Sequence, residues 1–349
     1  MNRYYLIAGL VSILFLAACK EKSPDSVDHY RDRTLTQADL ERMKGGADDD
    51  ITVKAKELEV DPQEYQQTLN LCVESFDKGE LDRLETLCDA KLIRKNPQAM
   101  YMLAMARLAR DDNQVVRKKG RRLLNAAATE GYAEAQFELG LRYLNGVEMP
   151  RDGQRAQALF VKACDGAYGA ACDMVGIAAM RAYAFDQADI FFDKAFELGS
   201  FLAPYYQGSI HEHGGGERKK NSREAIKLYK ESAELGSRVA QYRLFYAYYK
   251  GDIVAKDFTK AQAWLYAYEN DMENMQDRVW TYDIGVPANA GTIFKRIVAR
   301  KDRDKGTKLG KSIKSRIDEQ SLAFENAHRF KRPSLQDESE TSAEAEPTL

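Results

Sequence analysis

One helix-pair pattern is written three times across residues 135–236, and no other feature constrains the fold as strongly. Its first copy carries Ala135, Leu139, Gly140, Tyr143 and Gly146, then Ala156, Leu159, Phe160 and Ala163. Its third carries Ala203, Gln207, Gly208, His211 and Gly214, then Ala225, Leu228, Tyr229, Ala233 and Gly236. Aligned on the small residue that opens each first helix, copies start at Ala99, Ala135, Ala171, Ala203 and Ala240, in steps of 36, 36, 32 and 37 residues. The second helices place Ala156, Ala188, Ala225 and Ala261 ahead of large pairs: Leu159-Phe160, Phe191-Phe192, Leu228-Tyr229 and Trp264-Leu265.

Small residues let two helices approach closely, and large residues three and four places further on fill the remaining space from one face. A single pair cannot bury its apolar face alone, so the copies must stack. The expected fold is all-α: an α-solenoid of stacked antiparallel helix pairs. Two Pro-containing starts support the helix boundaries. Asp61-Pro62 and Asn96-Pro97 each put a capping side chain before a proline at the first helical position.

The pattern resembles the SEL-like repeat (SLR), a helix-turn-helix relative of the tetratricopeptide repeat. The resemblance covers residues 96–270, with 61–95 as a degenerate entry pair. The copy at Ala171 departs from it by lacking a loop glycine. The copy at Ala240 departs by having Phe245 where glycine is usual, which predicts a wider helix separation. The family implies a scaffold or adaptor; it does not imply an enzyme. Cysteine-rich members carry disulfides across the turn between repeats, which is where Cys164 and Cys172 fall.

Residues 1–18 read as a secretion signal: Arg3, an apolar run over 4–15, then Leu16, Ala17 and Ala18 before Cys19. Small residues before a cysteine resemble the lipobox of bacterial lipoproteins, which implies lipidation at Cys19. Lys20, where an aspartate would retain the protein at the inner membrane, implies the periplasmic side of the outer membrane. Residues 19–60 are polar and charged, a tether between lipid and fold. After the repeats, 271–299 holds Trp280, Tyr282 and a Gly/Pro loop. Two helical stretches are expected over 292–303 and 307–330, forming with that loop a C-terminal cap (271–331) for the end of the stack. Leu309, Ile313, Ile317 and Phe324 mark its apolar face, and Lys305, Lys308, Lys311, Lys314 and Arg316 make the other face basic. That basic face is either simply solvated or attracted to anionic lipid or an acidic partner. Residues 332–349 have the Pro-, Ser- and Glu-rich composition of a disordered tail.

Charged residues make up 30% of the chain and the formal net charge is -2. Interspersed opposite charges exclude the broad basic field of a nucleic-acid binder. Four cysteines besides Cys19 make an even set in an exported chain. Proximity pairs Cys72 with Cys88 and Cys164 with Cys172, the alternative being four buried free thiols.

Catalytic signals are weak. The run His211-Glu212-His213 lacks the spacing that puts two histidines on one helix face, so no metal site is expected. There is no phosphate loop and no nucleophile elbow, so neither cofactor nor catalytic residue is assigned. Binding is the stronger expectation, on the concave face that first helices line in a stack. Tyr246 and Tyr249 are the leading anchors on that face, followed by Tyr242, Tyr205 and Tyr206; the alternative is that several fill gaps between copies. The reading is a lipid-anchored scaffold for other envelope proteins, in exopolysaccharide export or envelope assembly, with a saccharide or peptidoglycan as another ligand class. Its rivals are an enzyme acting on cell wall or β-lactams, and a regulator of a wall hydrolase.

Overall fold

The computed structural model describes residues 61–109, 113–215, 217–270 and 300–328. The expectations for the signal, Cys19, the tether, the loop at 271–299 and the tail at 332–349 lie outside those residues. The described chain forms two compact units, 61–139 and 140–328. Thirteen helices are present among the described residues, whose one bridge pairs Gly215 with Arg218.

In the first unit, α1 (Pro62–Asp77) pairs with α2 (Leu81–Cys88), and α3 (Pro97–Ala109) pairs with α4 (Gln114–Thr129). Asp61 accepts from the amide of Gln63, and Asn96 from those of Gln98 and Ala99, as the Asp-Pro and Asn-Pro starts predict. A disulfide between Cys72 and Cys88 ties α1 to α2. Arg107 on α3 reaches back to Glu85 at 2.9 Å and Asp89 at 3.1 Å.

The chain continues through α5 (Ala133–Asn145), α6 (Gly153–Asp165), α7 (Gly169–Arg181), α8 (Phe185–Glu197), α9 (Ala203–His213), α10 (Ser222–Glu234), α11 (Arg238–Lys250) and α12 (Phe258–Asn270). Within 140–328, α7 packs on α8, α9 on α10 and α11 on α12. Each pair packs on the next in sequence order. The aligned alanines 156, 171, 188, 203, 225, 240 and 261 are all buried. Gly140, Gly176 and Gly208 each lie under the ring of the partner helix. A Cβ there would sit 2.7 Å from Phe160, 2.6 Å from Phe192 and 2.9 Å from Tyr229.

The two departures from the repeat resolve differently. Between α7 and α8, Tyr183 adopts the left-handed backbone (φ 60°) that Gly146, Gly214 and Gly251 take in neighbouring copies. The connection is thereby shortened to residues 182–184, which accounts for the 32-residue step. In the last pair the aromatic changes sides. Phe245 is buried on the first helix, in the same cluster as Leu265 on the second.

At the C-terminus, α13 (Arg300–His328) runs unbroken through 304–306, where two separate stretches were expected; residues 292–299 of the first stretch lie outside the described residues. Gly306 is a packing contact, where sequence reading placed a break. A Cβ on it would meet Gln262 Cβ at 2.5 Å, and one on Gly310 would meet Tyr266 Cβ at 2.8 Å. Gly306, Gly310, Ile313, Ile317 and Ser321 form the buried stripe. The helix covers α12 as a cap should, then continues past α10, where Arg316 meets Glu234 at 3.5 Å. It ends near α8, with Phe324 5.4 Å from Phe196.

Two outcomes follow for stability. Gly176→Ala gains about 1 kcal/mol of helix propensity but drives a methyl into a ring with no room to retreat. The net effect expected in urea unfolding is a loss of about 1–3 kcal/mol, partly recovered by adding Phe192→Leu. Replacing both Cys164 and Cys172 by serine is expected to cost about 2–3 kcal/mol through the nine-residue loop they close, measured the same way.

Candidate functional site

The nominated tyrosines lie on α9 and α11. Helix α11 starts at Ser237, whose hydroxyl accepts from the Ala240 amide, and ends where Gly251 turns left-handed. Packing surrounds it on most sides: Val239, Ala240, Gln241, Leu244, Phe245, Ala247 and Tyr248 are buried. What remains exposed is Tyr246 and Lys250, with the half-buried Arg243 completing a narrow strip.

Of the five tyrosines, Tyr246 is the exposed one, at 38%. Arg243 lies 5.8 Å from its ring centre on one side and Lys250 Nζ 5.8 Å on the other. Tyr249 is half-buried, stacked on Phe245 at 5.9 Å, with Lys250 5.6 Å from its ring. Tyr242 is wedged between Phe245 and Tyr268, and burial raises its phenol pKa. Tyr205 packs against Tyr206 and Tyr229. Tyr206 is buried and stacked on Phe192 at 5.3 Å, so it presents no face to a partner. Three of the five therefore fill space between neighbouring helices and one is core.

Tyr246 stands on a braced platform. Arg243 donates to both oxygens of Glu212 on α9, at 2.9 and 2.5 Å, and to Asp252 at 3.0 Å. The Tyr229 hydroxyl on α10 donates to the same carboxylate at 2.7 Å. Burial alone would raise the Glu212 carboxyl, but the hydrogen bonds from Arg243 and Tyr229 outweigh it and hold it below the usual range. Three helices and a loop are thus fixed around one guanidinium, which orients the strip. Sequence reading noticed Glu212 only as part of a histidine run. Its partner lies one repeat further on, and no local pattern announces the pair.

The repeat carries the strip's last position into neighbouring copies, as Arg181, His213 and Lys250, all exposed at the ends of first helices. His213 Nδ1 lies 2.9 Å from the Ser209 carbonyl. His211 serves its loop through the backbone: its carbonyl accepts from the Asn221 amide at 2.7 Å, as Tyr143 and Tyr248 accept from Asp152 and Asp257. Among the described residues, no three of His, Cys, Asp and Glu converge as metal ligands.

Two further features were missed. An apolar groove lies between α10 and α13, floored by Phe196, Ile226, Leu235, Ile253, Val254 and Phe324. The second is Asp173, buried in α7 beneath Tyr206. Its Oδ2 accepts from the Ser200 hydroxyl, while Oδ1 is buried with no hydrogen-bond partner among the described residues. Burial pushes its pKa up to about 7, with the Ser200 bond opposing. In sequence it looks like any charge on a solvated helix.

The Sel1 repeat family profile matches residues 97–132, 133–168, 201–237 and 238–267. The stretch between the second and third matches is α7 and α8, whose Gly176–Phe192 contact repeats those of the matched copies. Comparison with curated proteins finds no match. Among solved structures, the fold is similar to a protective antigen of uropathogenic Escherichia coli strains displaying an SLR fold. That similarity has a TM-score of 0.56 and 20% identity, over 74% of this chain and 55% of that one. The chain therefore spans little more than half of that relative. It is also similar to a Sel1 repeat protein from Oxalobacter formigenes, with a TM-score of 0.53 and 21% identity, over 66% of this chain and 96% of that one.

Asp173 generates a pH prediction. A carboxyl that is ordinarily near 3.9 unfolded and near 7 folded binds its proton more tightly in the native state. The stability it contributes is full below about pH 4, is lost as pH rises to about 7, and stays lost above. Thermal melts of Asp173→Asn are expected to fall less than wild type between about pH 5 and pH 8, with the variant the more stable at the upper end.

Proposed function

The chain is a Sel1-repeat protein, and from that premise we propose that it is an adaptor docking a partner polypeptide along the Arg243–Tyr246–Lys250 strip. Proteins of this repeat are in general interaction scaffolds, and the carrying observation here is the open, braced Tyr246. An aromatic ring held between two cations needs little further ordering on binding and suits a segment bearing both an apolar anchor and a carboxylate.

The setting we propose is the periplasmic side of the outer membrane, with acyl chains on Cys19 confining the adaptor to the surface where its partners work. The support is the short apolar run before Leu16, Ala17, Ala18 and Cys19, together with two disulfides, which persist in oxidising compartments. Export of exopolysaccharide or assembly of the envelope are the processes such an adaptor would serve. The enzyme reading would need an accessible reactive pair; among the described residues, the Ser200 hydroxyl and Asp173 carboxyl that meet are both buried, and the Tyr229–Glu212 pair is tied to Arg243.

Two measurements test the proposal. A photo-crosslinking amino acid at position 246 in intact cells should give a discrete protein adduct that is absent when placed at exposed Val115; equal labelling from both sites would refute the strip. Metabolic labelling with a clickable fatty acid should tag the wild type and leave Cys19→Ser unlabelled and released from the membrane fraction. An untagged wild type would refute the anchor.

A further inference from the structure

The outer face of α13 carries a run of exposed lysines. Lys301, Lys305, Lys308 and Lys311 are exposed, and their spacing of four, three and three keeps them opposite the glycine stripe that packs on α12. None of the four has an acidic partner among the described residues. Of the carboxylates on the same helix, Asp304 lies 3.9 Å from Arg300 and Asp318 is paired with Lys314, while Asp302 makes no ion pair with the four lysines. Arg316, one turn further on, meets Glu234 at 3.5 Å. The result is a run of unbalanced positive charge about 15 Å long.

The sequence that follows α13 has the complementary pattern. After Arg332 there is no basic residue, and Asp337, Glu338, Glu340, Glu344 and Glu346 supply five acidic ones. Reach is sufficient: twenty helical residues from His328 back to Lys308 span about 30 Å, and nine extended residues from 329 to 337 span about the same. Asp337 can therefore come level with Lys308, leaving the later glutamates to pass Lys305 and Lys301. Attachment to the same helix gives the acidic segment an effective concentration on the order of millimolar, which a free competitor must exceed.

We infer that residues 337–346 dock along the Lys301–Lys311 ridge of α13, so that the chain covers its own basic face with its own acidic segment. This occupant is favoured over an anionic lipid surface because opposite charge and sufficient reach are both present within one chain. The contact is electrostatic and mostly solvent-facing, so it weakens steeply as the screening length falls from about 10 Å at 0.1 M salt to about 3 Å at 1 M. A polyanion that displaced the segment would expose the ridge.

Zero-length carbodiimide coupling of the purified full chain, read by peptide mass spectrometry, tests this. Isopeptide links should join Asp337, Glu338, Glu340, Glu344 or Glu346 to the ridge lysines about tenfold more often than to exposed Lys219 and Lys220, and should fade at ~1 M salt. The Lys78–Glu74 and Lys227–Glu224 pairs, at 2.5 and 2.9 Å, serve as internal positive controls. Amine labelling of Lys305 and Lys308 should also rise when the five acids are changed to their amides. Three outcomes would overturn the inference. One is absence of ridge links while both control pairs couple. Another is even spread over Lys219 and Lys220. The last is links confined to mixed heavy and light chains, which would identify a second copy as the occupant. Absent links together with ridge lysines shielded by phosphatidylglycerol vesicles would assign the face to lipid instead.

Discussion

A glycine facing an aromatic ring, in the pairs α5–α6, α7–α8 and α9–α10, is the contact on which the rest of this structure depends. In three successive pairs the first helix gives up a side chain at Gly140, Gly176 or Gly208, and the second fills the space with Phe160, Phe192 or Tyr229. Each glycine costs its helix about 1 kcal/mol of propensity. Burying the opposing ring returns about 1.5–3 kcal/mol and sets the distance at which the next pair can sit. The small residue can also stand on the second helix: between α3 and α4 a Cβ on Gly120 would meet Leu108 at 3.0 Å. In α11 and α12 the ring moves to the first helix as Phe245, and it is buried in one cluster with Leu265 of the second.

The junctions between copies show a second rule. The Gln136 amide donates to the Ala128 carbonyl, and the Gln241 amide donates to Ala233, each reaching back eight residues across the turn. At the equivalent place between α6 and α7 the residues are Cys172 and Cys164, and the link is a disulfide. The turns differ in step with this. Gly131 and Gly236 take the left-handed backbone in the hydrogen-bonded junctions, whereas Ala167 takes it (φ 62°) inside the disulfide loop. A residue with a Cβ pays roughly 1–2 kcal/mol for that conformation, and the covalent link over-determines the turn that contains it. Chemistry and backbone thus change together at one junction, while the stack on either side keeps the same register.

Position in the repeat was legible from sequence because the signal is volume at a fixed spacing, and volume is what the core selects. The aligned alanines and the paired helices follow from it, whereas the two disulfides were read from the cysteine count and proximity along the chain. Facing relationships were not legible, because they depend on what the neighbour presents. Gly306 reads as a break until Gln262 and Thr259 are seen pressed against it. Tyr206 and Tyr246 are both tyrosines on first helices, and only the ring of Phe192 decides that the former is core. Asp173 carries no mark in sequence of the Ser200 hydroxyl that meets it from the next turn.

The same logic explains why the candidate docking strip is so narrow. A first helix inside a stack touches its own partner and the copies before and after, so large residues on it are drawn inward wherever a gap exists. Tyr205, Tyr242 and Tyr249 each find such a gap. Tyr246 does not, because the positions around it are taken by Arg243, tied down by Glu212 and Asp252, and by Lys250 at the solvent end. The charge of Arg243 is already balanced by two carboxylates through its Nε and Nη2, while its Nη1 is buried, so its part is to stiffen the ring and shield one edge. Lys250 keeps its charge for whatever approaches. A partner docked on this strip would therefore meet one ring and one ammonium, whereas neighbouring copies, with Ser209 and Ile177 at the ring position, present different chemistry on the same register.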